Sequence, residues 1–328
     1  MEKSAYIKIK AIRNVLIAGI VIMLVKFIAF FITHSNAILS DALESIINVV
    51  AGAFAYYSLK VAAKPKDIDH PYGHGKIEFI SAGFEGGLIL LAGIIIIGKS
   101  VMNMIHPVVI DRLEVGAILA IIAGSANYIL GRFLIRTGET HKSITLVADG
   151  RHLQSDTWSS LGLVLGVIFI YFTGWVWLDN VFAIAFGGVI IFTGYKLVRK
   201  SLAGLMDEAD ETIIKDVIQV LNEHRNERWI DIHNLRILQY GSSYHIDCHI
   251  TLPWYNDLKT SHDELKNIEH LITAKFHDKV ELFIHPDPCL PFSCSLCQLE
   301  ECAVRQRPFE HKVIWTPENV MRNAKHQL

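Results

Sequence analysis

Six apolar stretches fill the first 206 residues, each long enough to cross a hydrocarbon core about 30 Å thick. They run Val15–Thr33, Ala37–Leu59, Ile77–Gly98, Leu113–Ile135, Thr145–Thr173 and Asn180–Leu197. The first is expected to stay as a membrane helix, because its apolar core is too long for a cleaved signal and no small-residue cleavage site follows. Composition changes sharply after Met206: 31 of the 64 charged residues lie in the first 206 positions and 33 in the last 122. Net charge swings with it, from +5 in the front part to −7 in the back. A uniform globular enzyme or a disordered chain does not divide this way. The expectation is a six-helix transmembrane domain over residues 1–206, followed by a polar domain.

Lysine and arginine in the short loops set the orientation. Lys3, Lys8, Lys10, Arg13, Lys60, Lys64, Lys66, Lys76, Arg132, Arg136, Lys142, Lys196, Arg199 and Lys200 fall on one side, and only Lys99 and Arg112 on the other. Fourteen against two places both termini of this multi-pass chain in the cytoplasm. No nucleic-acid partner is expected.

The back part reads as a small α+β domain over residues 207–288. Glu211–Arg225 has helical apolar spacing, while Asp231–Tyr240 and Tyr244–Leu252 alternate as strands around a Gly241-Ser242-Ser243 turn. Asp257–Phe276 is helical again and Val280–His285 makes a third strand. The order α-β-β-α-β predicts a ferredoxin-like or metallochaperone-like sheet with two helices on one face. Residues 289–328 show no periodicity, only four cysteines and a polar tail.

Ionisable groups inside a spanning helix are costly and therefore functional candidates. The second stretch holds Asp41, Glu44 and Asn48, and the fifth holds His152 and Asp156. Glu44 and Asn48 are four residues apart and share a helix face, as do His152 and Asp156. Two such pairs on facing helices would converge four N and O donors, which suits a four-coordinate divalent metal. Interhelical hydrogen bonding between polar residues is the plainer alternative. Lys26 and Arg151 also lie within helices and are given no metal role. In the loop after the second stretch, Asp67, His70 and His74 have chelating spacing, set against the reading of a solvated polar loop.

Together these features resemble the cation diffusion facilitators, in particular the bacterial zinc- and iron-efflux branch. The resemblance covers roughly Ala11 to Cys289. It rests on Ser40-Asp41-Ala42-Leu43-Glu44-Ser45, on His70-Pro71-Tyr72-Gly73-His74-Gly75-Lys76 with Glu78, on His152-Leu153-Gln154-Ser155-Asp156, and on His285-Pro286-Asp287-Pro288. It implies a homodimeric antiporter that exports a divalent metal in exchange for protons, with Glu44, Asn48, His152 and Asp156 as transport site. It further implies a loop site at Asp67, His70 and His74, and a cytoplasmic binuclear site at His233, His249, His262, His285 and Asp287. Lys76 and Asp207 resemble a charge pair between the membrane and cytoplasmic domains.

At Glu44 and Asn48 the chain departs from the zinc branch, which carries Asp or His and then Asp. The substitution removes one negative charge and supplies a carbonyl oxygen, a harder donor. Zn²⁺ is the expected cargo and structural ion, with Mn²⁺, Fe²⁺ and Co²⁺ as alternatives. Asp41, one turn earlier, is a further candidate ligand. His152 is the expected proton carrier, since free imidazole titrates near about 6.5.

On the second strand, His245, Asp247 and His249 share one face by two-residue alternation, which leaves Cys248 on the apolar face. Cys289, Cys294, Cys297 and Cys302 stand outside the resemblance. Four thiols so close together in a reducing compartment read as a metal clip for zinc or an iron–sulfur centre, with unpaired reduced thiols as the alternative. The function expected is a secondary transporter and not an enzyme. An intramembrane metalloenzyme using the same four residues is one rival, though no HExxH motif occurs. A metal-gated signalling protein is the other.

Overall fold

The computed structural model describes the backbone of all residues except 1, 34–35, 106–112, 174–176, 277–279 and 328. Side chains are described for the rest except 2, 29–30, 32–33, 36–44, 113–120, 159–160, 162–164, 166–173 and 178–179. The chain divides into two compact units, Met1–Met206 and Asp207–Leu328.

The first unit is a helical bundle of α1 (Glu2–Thr33), α2 (Asn36–Ala62), α3 (Ile77–Ile105), α4 (Leu113–Thr140), α5 (Ile144–Thr173) and α6 (Trp177–Leu205). These helices overrun the apolar stretches, α1 by more than three turns at its start. Apolar composition marks only the part of a helix that lipid would contact, whereas the extension of α1 carries buried Lys8 against Glu78. Among the described residues, Lys3–Ile28, Ser45–Ala62, Ile77–Ile105 and Asn180–Leu205 are long and apolar enough to cross a membrane. Parts of α4 and α5 have side chains outside the description.

Small residues let the helices approach closely. A Cβ on Gly93 of α3 would come 3.0 Å from the Gly187 carbonyl oxygen of α6, and one on Gly194 would meet the Leu90 amide at 2.8 Å. Between α4 and α5, a Cβ on Gly131 would lie 2.7 Å from the Gly150 carbonyl. In an apolar medium such backbone proximity supplies the dispersion contact that holds helices together.

The second unit contains α7 (Glu211–Glu223), β1 (Asp231–Tyr240), β2 (Ser243–Leu252), α8 (Leu258–Phe276), β3 (Val280–Pro288) and the short α9 (Pro317–Val320). Strand order is β1-β2-β3, with β1 and β2 antiparallel and β2 and β3 parallel. Asp210 caps α7 by accepting from the Thr212 N–H at 2.9 Å. Its buried face (Ile213, Ile214, Val217, Leu221) packs with Ile268 and Ile272 of α8 against one side of the sheet.

A bulge between His233 and Arg236 corrects the phase of β1. Asn234 takes φ 53° there, so that Ile232, Leu235 and Ile237 all reach the core. The bulged Asn234 N–H donates to the Arg322 carbonyl at 2.8 Å, so the C-terminal tail satisfies the group the ladder leaves over. The tail contributes more: Trp315 and Val320 are buried in the same core. Lack of periodicity in residues 289–328 reflects single anchors in an irregular path and not detachment from the domain.

Candidate functional site

Asn48 projects from α2 and His152 and Asp156 from one face of α5. The Asn48 Nδ2 group donates to Asp156 Oδ2 at 2.7 Å, and its Oδ1 lies 2.9 Å from His152 Nε2. With the amide nitrogen committed to Asp156, the carbonyl accepts from an Nε2–H of His152. The other ring nitrogen, Nδ1, lies 3.3 Å from Glu85 Oε2 on α3, and Glu85 is fully buried. Three of the four predicted transport residues are thus joined by hydrogen bonds across two helices. The side chains of Glu44 and Asp41 lie outside the described residues.

Sequence reasoning passed over two carboxylates here. Glu85, in the third apolar stretch, and Asp149, three residues before His152, are both buried. The same rule that singled out Asp156, an ionisable group in a spanning segment, would have found them. A cleft among α1, α2, α4 and α5, lined by Lys26, Ser45, Asn48, Asn127 and Asp149, reaches the set from one side.

Glu78 forms a second buried polar knot. Its carboxylate pairs with Lys8 of α1 at 2.9 Å and accepts from the Ser143 hydroxyl at the start of α5, while its carbonyl accepts from Thr145 Oγ1 at 3.2 Å. Removing one partner of such a buried pair would leave an uncompensated charge. Lys76 stands in the loop before α3, and Asp207, at φ 58°, in the turn after α6.

In the loop, Gly73 at φ 88° closes a turn by donating its N–H to the His70 carbonyl at 2.9 Å. The turn brings the His70 and His74 rings together, tilted, with centroids 4.3 Å apart, and Asp67 reaches both, at 3.0 Å from His70 Nδ1 and 3.3 Å from His74 Nε2. Desolvation raises the Asp67 carboxyl, but bonds from the His70 N–H and ring, with the nearby His74, hold it below its ordinary value. One ligand atom from each of the three lies within 4.8 Å of the others, a separation a bound cation could close.

On the sheet, register builds the cluster. His233 pairs with His249 across β1 and β2, and His249 with His285 across β2 and β3. Ring centroids are 5.2 and 4.8 Å apart along this row. Asp287, two residues beyond His285 and on the same face, approaches all three: 3.2 Å to His233 Nε2, 3.3 Å to His249 Nδ1 and 3.6 Å to His285 Nε2. His233, His249 and Asp287 bring ligand atoms within 4.8 Å of one another, a donor set that fits a divalent metal. His262 is exposed on α8 and is not in this group among the described residues. Cys248 faces the core, where burial pushes its thiol up to about 12.

Behind the row, Asp231 lies 3.5 Å from His233 Nδ1 and accepts from the His326 N–H at 3.0 Å and from its ring. Burial raises the Asp231 carboxyl, yet the bonds from His233 and His326 outweigh it and hold it at about 2. Lys325, next in the tail, brings its Nζ to 3.9 Å from Asp287 Oδ2 and donates to the Pro288 carbonyl at 2.7 Å. Asp231, Lys325 and His326 were also missed, because no local pattern links residues so far apart in sequence. The four tail cysteines line one cavity with Tyr255 and Arg305, but among the described residues their sulfurs do not converge to within 4.8 Å as the loop and sheet ligand atoms do.

Residues 12–206 match the model of the cation efflux transmembrane domain, and residues 209–289 match the cation efflux protein cytoplasmic domain. An uncharacterised transporter of Synechocystis sp. is 34% identical over 79% of this chain and 83% of its own length. The cation-efflux pump FieF of Shewanella oneidensis is 24% identical over 82% and 90% of the two chains. The manganese efflux system protein MneP of Bacillus subtilis is 26% identical over 83% and 93%.

Proposed function

The chain belongs to the cation-efflux family, the cation diffusion facilitators, and on that premise we propose that it exports Zn²⁺ from the cytoplasm in exchange for protons. The family makes it a membrane transporter of metal cations and not an enzyme. Six membrane spans, an inner-membrane location and cytoplasmic termini belong to the proposal.

The observation that carries the reading is the His152–Asn48–Asp156 set, hydrogen-bonded across two helices of an apolar bundle. Metal arriving through the cleft beside Asn48 would bind Glu44, Asn48, His152 and Asp156. To ligate through Nε2, an imidazolium His152 must release to the cytoplasm the Nε2 proton it presents to Asn48 while keeping the proton on Nδ1 that faces Glu85, and Asp156 must exchange an amide for a cation. On release outward the proton returns and the amide bridge re-forms. Glu85, behind Nδ1, holds the ring in orientation through this exchange. Helices rocking around a fixed midplane site would complete the cycle.

Asp67, His70 and His74 would form a weaker, loop-borne site. His233, His249, His285 and Asp287 would hold a resident metal, whose positive charge ties the three strands together on one face. His262, exposed and outside that cluster, would join it on assembly with a second copy, in keeping with a homodimer.

Reconstituted liposomes with a pH dye inside test the reading. Zn²⁺ flux should drive opposite proton movement, and flux without it would overturn the antiporter. The Asn48 carbonyl, a hard donor, favours one second reading, Mn²⁺ or Fe²⁺ as cargo with Co²⁺ between, and a cation panel in the same liposomes decides it.

A further inference from the structure

Between Cys289 and Trp315 the chain has one regular element, a five-residue 3-10 turn over Pro291–Ser295. Yet Ser293, Ser295, Leu296 and Cys297 are all buried there. Arg305 gathers the segment, donating to the carbonyls of Cys294 at 3.1 Å, Cys297 at 3.1 Å and Leu299 at 2.6 Å. The returning chain passes back to it, with the Glu310 N–H donating to the Ser295 carbonyl at 2.8 Å. So long an irregular loop, with little apolar core of its own, needs a cross-link to hold one shape. No disulfide supplies it, since all five cysteines are free thiols.

Cys289, Cys294, Cys297 and Cys302 line a single cavity. Among the described residues their sulfurs are not gathered to within 4.8 Å as the ligand atoms of the loop and sheet clusters are, so a metal would have to draw them together. Cys294 and Cys297 stand three residues apart on one turn, closed by the Cys297 N–H on the Cys294 carbonyl at 3.3 Å. The Arg305 guanidinium, bonded to the Cys297 carbonyl at 3.1 Å, would offset part of the double negative charge that four thiolates on a dication would carry.

We propose that Cys289, Cys294, Cys297 and Cys302 bind one structural Zn²⁺ that clips the C-terminal tail onto the cytoplasmic domain. The ion is resident and separate from the cargo. Each thiol gives up its proton to solvent as its sulfur is ligated. Three of the four cysteines lie beyond the matched family domains, so the site stands whether or not the transport reading does.

The full chain, purified in detergent after EDTA treatment, tests this by elemental analysis and thiol alkylation. About one zinc per chain should survive chelation in His233→Ala with His249→Ala, which lacks the sheet site, with Cys289, Cys294, Cys297 and Cys302 protected from alkylation. Cys294→Ser with Cys297→Ser in the same background should lose that zinc. Should the cysteine variant fail to fold, wild-type protein from cells grown on Co²⁺ answers instead, by the intense sulfur-to-metal charge-transfer absorption of a tetrahedral cobalt thiolate. Iron with inorganic sulfide, a disulfide found by mass, or four thiols freely alkylated in the zinc-loaded protein would each overturn the proposal.

Discussion

The α2–α5 set and the histidine row on the sheet use the same side-chain chemistry, imidazole with carboxylate, and arrange it oppositely. In the helices a neutral amide stands between His152 and Asp156, using both of its polar ends to satisfy them. On the sheet nothing neutral intervenes: Asp287 alone faces three histidines at 3.2, 3.3 and 3.6 Å. The first arrangement can part and re-form at little cost, because the bridging group carries no charge. The second is fixed by two strand ladders and backed by Asp231 and His326, so its ligands have little to rearrange. A site that must empty in every cycle suits the first geometry, and one that keeps its ion suits the second.

The hardest way to break this contrast is to remove the carboxylate from each side. Asp156→Ala should cut metal flux in liposomes by about 100-fold or more, since both the ligand and the partner of the Asn48 amide disappear. Asp287→Ala should leave flux measurable and instead weaken metal binding to the cytoplasmic unit. Equal loss of flux in both would erase the distinction between cargo and resident sites. His152→Ala should abolish the proton counterflow that accompanies metal. In the wild type, lowering cytoplasmic pH should slow transport, because a proton competes with the metal for the His152 ring nitrogen. Proton movement unchanged in the variant would move the carrier role to a carboxylate, with Glu85 the nearest candidate.

Asn48→Asp sharpens the comparison by making the helical set resemble the sheet. The bridge becomes a second carboxylate beside Asp156, where a 2.7 Å hydrogen bond now sits, and the two charges are reconciled only by a cation. Zn²⁺ should bind about tenfold more tightly and leave more slowly, while Mn²⁺ flux relative to Zn²⁺ declines. Titration calorimetry of Asn48→Asp and Asn48→Ala with both metals decides the matter. Wild-type affinities in both variants would show that Asn48 is not a ligand.

What the sequence disclosed follows the range of the physics behind each feature. Helical and strand periods are local, so the apolar helices and the α-β-β-α-β order were legible, and so was the placing of Cys248 in the core. The pairs His152 with Asp156 and His70 with His74 were legible for the same reason. Glu85 was overlooked although its signal was equally local, because no partner four residues away drew attention to it. Lys8 with Glu78, and Asp231 with His326, were beyond reach: 70 and 95 residues separate the partners. The anchors Trp315 and Val320 gave no periodic signal either, since each tail residue finds its place singly.

Asp231 offers a smaller test on the rigid side of the contrast. Its carboxyl is held at about 2, below the ordinary value of 3.8, by His233 and His326 against the opposing effect of burial. A depressed carboxyl adds stability above its unfolded value that is lost as pH falls toward the folded one. Asp231→Asn should therefore destabilise the cytoplasmic unit by about 2 kcal/mol near neutrality. The difference from wild type should shrink between about pH 4 and pH 2. Thermal melts of the full chain across that range check it, and a pH-independent difference would assign the effect to packing.

Lys325 carries the smallest expected effect and bears most directly on whether the sheet site is fixed. Its ammonium lies 3.9 Å from Asp287 Oδ2, at the carboxylate a bound metal would use. A metal ion must therefore compete with a cation already in place. The pair is partly screened by solvent and contributes up to about 1 kcal/mol, so Lys325→Ala should raise cytoplasmic Zn²⁺ affinity by no more than about fivefold. Calorimetry in an Asp156→Ala background isolates the change from the transport site. The competing outcome follows from the bond of Lys325 to the Pro288 carbonyl at 2.7 Å, which ties the tail to the end of β3. If that tie dominates, Lys325→Ala lowers the melting temperature and the affinity together, because His285 and Asp287 lose the strand geometry that aims them. A rise in affinity with unchanged melting would mean that the tail competes for the site, and a joint fall that it only holds the site in shape.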